Sequence, residues 1–389
     1  MIEAIFFWIA VLLLFHSYVL FPLLISVLTA KKPKGTVITK QSKSIPFVSV
    51  LISVYNEEKV IETRINNVFQ TEYPLDKLEV LVGSDGSNDD TNKSLQKLQE
   101  KYPALRLFLY DTRNGKGNVL NRIDQEVHGE IMVFTDAKVE FNEHTIFELV
   151  KPFDDQDIGI VGGNIINRNT SKNGISIQEK QFMSREMVIK YNEGRIWGTM
   201  VGAYGACMAM RKENFVQIPE NFAVEDFFLS LKILEKGQKS ILNLNAVCFE
   251  DVPNKLNEEF RRKVRISSGN FQNLKTFYHL LFKFNPLSFC FFSHKVIRWL
   301  GPFLLLIALI CNILLMRAGI FYQLTLAAQL LLLIIPVIDF FLQKIHLHII
   351  TLRFVTHFYS MNLALLIGFI KYLKGIKTNV WEPTVRKHL

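Results

Sequence analysis

The chain has 389 residues, 49% of them hydrophobic and 21% charged, and 45 basic against 36 acidic side chains give a net charge of +9. Its mean hydropathy of +0.18 is high for a wholly soluble chain, and the composition excludes a disordered tail, a collagenous repeat and a small disulfide scaffold. The four cysteines lie far apart with no C-x-x-C pair, which argues against a zinc site or a disulfide framework and fits a reducing compartment.

From Ile2 to Leu28 the only formal charge is Glu3. The run exceeds the ~20 residues needed to cross a hydrocarbon core. It predicts a transmembrane helix over residues 1–30 rather than a signal peptide: no basic residues precede it, the apolar stretch is too long, and no A-x-A-like site follows. Lys31, Lys32, Lys34, Lys40 and Lys43 come next. Basic flanks prefer the cytoplasm, which predicts a multi-pass protein of the cell membrane with its N-terminus outside and its middle region in the cytoplasm.

Between residues 31 and 270 the periodicity changes. Strand-like runs at 47–54, 78–82, 106–110 and 130–135 alternate with helical patterns at 57–70, 90–102 and 117–127. Such alternation predicts βαβ units and a mostly parallel sheet, whose ligands bind beyond the carboxyl ends of the strands. Asp85, in the turn Gly83–Thr91, is placed to accept hydrogen bonds from a nucleoside, with Tyr55, Asn56 and Glu57 as the facing wall. The same turn composition also suits a plain tight turn and helix cap. Lys116, among small residues at a helix start, suits a diphosphate or a solvated turn. Asp136 closes an otherwise apolar strand, where a carboxylate caps a turn, is paired or holds a metal. Magnesium or manganese would share it with substrate phosphates.

Glu225 and Asp226 open a helix that ends at Gly237. They either complement the helix dipole or supply a general base beside a substrate hydroxyl. Arg262 and Arg265 lie three apart and share a helix face, which could clamp a diphosphate or face lipid. Residues 271–299 alternate aromatic with basic side chains, the pattern of an interfacial amphipathic stretch. Three apolar stretches follow within residues 300–374: 300–316, 320–342 and 349–370. The last carries Arg353, His357 and Asn362, so it reads as a polar-spotted span, a re-entrant piece or an interfacial helix. A count of crossings puts the basic tail, 375–389, outside, whereas its charge prefers the cytoplasm. The basic residues cluster beside apolar spans, so the expected charged partner is membrane lipid and not nucleic acid.

Taken in order, Val50–Glu57, Gly83–Thr91, Thr135–Lys138, Gly198–Arg211, Glu225–Asp226 and Arg262–Arg265 resemble the family 2 inverting glycosyltransferases of the GT-A fold. The flanking spans resemble those of the membrane-integrated polysaccharide-synthase branch. The resemblance implies an α/β fold, a GT-A cytoplasmic domain flanked by transmembrane α-helices. It implies a hexosyltransferase-type enzyme that uses a nucleotide-sugar donor, a lipid-linked or glycan acceptor and a divalent metal (Mg2+ or Mn2+). Asp136 then holds the metal and Asp226, beside Glu225, is the catalytic base. Tyr55, Glu57, Asp85, Lys116, Arg262 and Arg265 join Asp136 on the donor side, and Gly202, Tyr204 and Gly205 fall in the acceptor-side loop. The pattern departs from the family at Lys138, which replaces the second Asp of Asp-x-Asp. It departs again at Arg262 and Ile266, which replace the Gln and Trp of Gln-x-x-Arg-Trp. That Trp resembles an acceptor-stacking platform in the processive synthases, so its replacement points away from long-chain synthesis. Transfer of a single sugar in cell-surface polysaccharide biosynthesis is the expectation. A processive synthase and a catalytically silent membrane partner of an assembly complex are the alternatives.

Overall fold

A computed structural model describes residues 1–31, 45–168, 175–251 and 255–376. The lysines from 32 to 43 and the tail from 377 onward lie outside the described residues. The chain forms two compact bodies, one chiefly of Leu28–Asn169 and Ser184–Val252, the other of Met1–Val27, Thr170–Met183 and Pro253–Gly375.

The first body is built on a mixed eight-stranded sheet. Val48–Val54 (β1) and Leu78–Asp85 (β2) are buried at every position, as strands covered on both faces must be. β1 pairs in parallel with β2 and with Ile131–Thr135 (β4), and β2 pairs in parallel with Leu105–Tyr110 (β3). This half is the parallel sheet that the periodicity predicts. The other half reverses direction. Cys207–Arg211 (β7) runs antiparallel between β4 and Ile158–Arg168 (β6). Lys239–Asp251 (β8) pairs in parallel with β6, and Val139–Phe141 (β5) lies antiparallel at its edge. The spatial order is β3-β2-β1-β4-β7-β6-β8-β5. Its consequence for function is the pairing of Thr135 with Cys207, which sets the end of β4 beside the loop that precedes β7.

The helix after β1 runs Ile61–Phe69, starting later than the pattern from 57 suggests. Asn56 takes φ 52° and exchanges side-chain hydrogen bonds with Asn88, whose N–H and carboxamide oxygen both engage it (2.9 and 2.6 Å). The N–H of Glu57 donates to Thr91 Oγ1 at 2.8 Å. Residues 55–60 are therefore stitched to the loop after β2 and are not free to coil.

The second body is helical. Ile2–Ala30, Ile320–Lys344 and Ile350–Leu373 are long and apolar enough to cross a membrane, and the pair Pro286–Trp299 and Gly301–Leu315, bent by 63°, would make a fourth if taken as one span. Leu256–Phe277 is one continuous helix, so it passes without a break through the expected domain boundary at 270.

Candidate functional site

At the strand ends two loops form the wall expected to meet a nucleoside. The guanidinium of Arg113 lies 3.4 Å from the ring centre of Tyr55, within the range of a strong cation–π contact. Asp85 is fully buried, and its two oxygens accept the backbone N–H groups of Asn114 (2.7 Å) and Gly115 (2.9 Å). The structure thus places Asp85 beneath the Arg113–Gly115 loop, as the group that fixes it. Arg113, half-buried, supplies the positive charge there. Sequence reasoning passed over Arg113, although it opens the same segment as Lys116 and a basic residue beside a tyrosine-bearing loop was a usable signal.

An ionic cluster lies beyond. Lys116 Nζ is 2.7 Å from Asp136 Oδ1 and 3.2 Å from Glu225 Oε1. The lysine is 18% exposed, Glu225 12% and Asp136 42%, so Asp136 is the member open to a ligand. Burial pulls the Lys116 ammonium toward neutrality, but Asp136, Glu225 and Asp226 outweigh it and hold its pKa above the ordinary lysine range. Lys138 pairs with Glu57 at 3.3 Å. The cation that replaces the expected second aspartate therefore joins the strand end of β4 to the loop after β1.

Asp226 sits in the first turn of helix Glu225–Glu235. Its Oδ2 accepts the N–H of Gly205 at 2.8 Å and its Oδ1 that of Phe227 at 2.8 Å. Removal from water, and next the charge of Glu225, raise its pKa above the usual aspartate value, against the pull of Gly205 N–H and Lys116. The raised pKa suits a group that accepts a proton near neutral pH. The loop before β7 is held by further contacts. Ala203 N–H donates to Ser230 Oγ, which donates to the Asp226 carbonyl (2.9 and 2.7 Å). Val201 N–H reaches Glu193 Oε2 at 3.2 Å, and Lys190 Nζ lies 3.2 Å from the Tyr204 ring centre. Ser230, Glu193 and Lys190 were not legible in the sequence, where they read as ordinary helix residues.

Beneath Asp136, the buried Arg64 donates to Thr135 Oγ1 at 2.9 Å, and that hydroxyl donates to the Ala206 carbonyl at 2.9 Å. Burial pushes the Arg64 pKa down to about 10, so it remains charged. Tyr55, Glu57, Asp85, Lys116, Asp136, Gly202, Tyr204, Gly205, Glu225 and Asp226 all belong to this one body. Arg262 and Arg265 belong to the helical body. There Arg262 is ion-paired with Glu259 (2.9 Å) and Glu179 (3.3 Å).

Residues 49–218 match the family model described as glycosyl transferase family 2, a stretch that runs from β1 to just beyond β7 and takes in Asp85, Lys116 and Asp136. The chain carries a family 2 glycosyltransferase domain. The glycosyltransferase is 25% identical over 317 residues to the probable glycosyltransferase YdaM of Bacillus subtilis, covering 77% of this chain and 73% of that protein. It is 26% identical over 235 residues to the poly-beta-1,6-N-acetyl-D-glucosamine synthase of Staphylococcus aureus, covering 58% of this chain and 55% of the synthase. It thus spans about half the length of the synthase it matches. In three dimensions it resembles the mannosyltransferase PcManGT from Pyrobaculum calidifontis, solved in complex with GDP-Man and Mn2+. The TM-score is 0.69 at 22% identity, over 95% of this chain and 99% of that one. That likeness is one of fold: a GT-A-like α/β domain with apolar helices at both ends.

Proposed function

We propose that this glycosyltransferase moves a single sugar from a nucleotide-sugar donor to a lipid-linked or glycan acceptor at the membrane, inverting the anomeric centre, in cell-surface polysaccharide biosynthesis. The observation that carries the reading is the meeting of Asp136 and the Glu225–Asp226 pair on one lysine, Lys116, at the carboxyl ends of the strands. The nucleoside lies against Tyr55 and Arg113, and the diphosphate reaches Lys116 and Asp136. Negative charge grows on the departing diphosphate, and Lys116 stabilises it where it develops. Asp226, oriented by two N–H groups, accepts the proton of the acceptor hydroxyl as that oxygen attacks from the face opposite the leaving group. Glu225 keeps the Lys116 ammonium in place.

The donor set fits a divalent cation of the Mg2+ or Mn2+ class, which takes one or two carboxylates together with substrate phosphates. Asp136 is a partly exposed carboxylate at a strand end, and PcManGT was solved with Mn2+. When bound, the ion supplies Lewis-acid charge to the diphosphate. The run of lysines that follows the first span in the sequence supports a cytoplasmic catalytic domain with the N-terminus outside, and Ile266 in place of an aromatic platform supports one transfer over many.

The test is a panel of UDP- and GDP-sugars offered to membranes containing the protein, with manganese, with magnesium and with EDTA. The expected result is transfer from one donor, lost on chelation and restored by the ion. Nucleotide release from no donor under any of these conditions would end the proposal.

A further inference from the structure

The helix Ile350–Leu373 is long and apolar enough to span, but it is clearly less apolar than Ile2–Ala30 and Ile320–Lys344. Its neighbours in the helical body give it a different course. Phe358 meets Tyr18 with ring centres 5.7 Å apart, and Phe369 meets Phe303 at 5.0 Å. Asn362 lies against Gly301, where an added Cβ would stand 2.9 Å from its Oδ1 and 4.0 Å from the hydroxyl of Tyr18. Tyr18 and Gly301 therefore occupy one level of the two helices that carry them. Phe358 and Phe369 are roughly 16 Å apart along a helix rising ~1.5 Å per residue, yet both touch that level, at Tyr18 and at the first residues of Gly301–Leu315. A helix running alongside those two would climb them; this one crosses them.

Its long partner is Leu256–Phe277. Ser267 Oγ donates to the Leu365 carbonyl at 2.9 Å. At Gly368 an added Cβ would come within 2.4 Å of Ser267 Cβ, so the two backbones approach closely. Phe271 packs on Phe369 at 4.8 Å and on Tyr372 at 6.1 Å. Nearer the N-termini, His357 Nε2 is 3.2 Å from Glu179 Oε2, and Glu179 also holds Arg262 and Lys263. The two helices run side by side in the same direction. Leu256–Phe277 carries Glu258, Glu259, Arg261, Arg262, Lys263 and Arg265 and is too polar to enter hydrocarbon end-on, so its companion shares its attitude.

We infer that Ile350–Leu373 lies in the plane of the bilayer, floating on the same face as Leu256–Phe277, and does not cross. Its exposed apolar side chains Leu363, Ile370 and Leu373, spaced for one helical face, then rest on acyl chains, and Arg353 and His357 stay at head-group depth. Both ends of the helix remain on one side, which removes the conflict between the count of crossings and the charge of the tail.

Single cysteines at Leu347, Lys374 and Arg317, in the full-length protein, test this in intact spheroplasts and inverted vesicles with a membrane-impermeant maleimide. The native cysteines are all buried, so the unsubstituted chain gives the background. Leu347→Cys and Lys374→Cys are expected to label from the same side and Arg317→Cys from the other. Labelling of Lys374→Cys together with Arg317→Cys would overturn the inference. Spin labels at Leu363 and Ile370 give an independent reading from quenching depth. Equal depths are expected, whereas a span requires a difference of about 10 Å for seven helical residues.

Discussion

Asp226, the base of the proposed reaction, sits in a partly dry site. Two backbone N–H groups aim it, and Glu225 and the loss of water keep its proton affinity high. Asp226→Asn is expected to lower kcat by ~10²- to 10⁴-fold, the usual worth of a general base, while the donor's Kd, read by calorimetry, stays within about twofold. The acid limb of the pH–rate profile belongs to this group. Because its pKa is raised, activity falls on acidification at a pH above the ordinary aspartate value of about 3.9. Lys116→Met removes the cation that opposes this shift. The acid limb should then move further upward, and the fold should weaken by about 1–3 kcal/mol, the order expected when partly buried carboxylates lose a charged hydrogen-bond partner. A profile unchanged by Lys116→Met would show that the lysine does not sense Asp226.

The loop before β7 shows what a short element demands of its residues. Gly202 holds φ +84°, and a Cβ there would lie 2.5 Å from Phe227 Cδ2. Gly202→Val should cost about 1–3 kcal/mol from strain at a positive-φ site and raise the acceptor's KM more than the donor's, as steady-state kinetics with each substrate varied would show. Gly205 leaves open the approach to Asp226 and Lys116, whose atoms stand 3.1 and 3.4 Å from an added Cβ. The glycine spacing made this loop visible in the sequence. The first four strands were visible for a plainer reason: Val48–Val54, Leu78–Asp85, Leu105–Tyr110 and Ile131–Thr135 are largely apolar runs between turn residues. The reversal at β7 was not, because Cys-Met-Ala-Met-Arg has no alternation and its direction is set by strands far away in the chain. The pairing of Arg262 with Glu179, 83 positions earlier, was not legible either, since no local pattern announces it, and neither was the full burial of Asp85.

Within the helical body, Glu179 is the hub of a polar cluster. It is 1% exposed and binds Arg262, Lys263 and His357. Burial alone would raise its pKa, but Lys263, His357 and Arg262 hold it well below the usual carboxylate range. A depressed carboxyl pKa contributes stability that is complete above the unfolded value near 4.3 and lost as pH falls toward the folded one. Glu179→Gln should therefore lower the thermal midpoint of the detergent-solubilised protein at pH 7, by an amount corresponding to about 3 kcal/mol, and the gap from wild type should narrow below about pH 4. An equal midpoint at pH 7 would remove the cluster from the account of what holds these helices together.

The hydroxyl of Thr135 both receives the Arg64 guanidinium and donates to the carbonyl of Ala206. A threonine there works as a rivet between the strand that ends in Asp136 and the segment that leads into β7. Valine would keep the volume and delete the rivet. The two reactant-binding halves would then each retain their grip while drifting in register, so that turnover suffers and neither dissociation constant does.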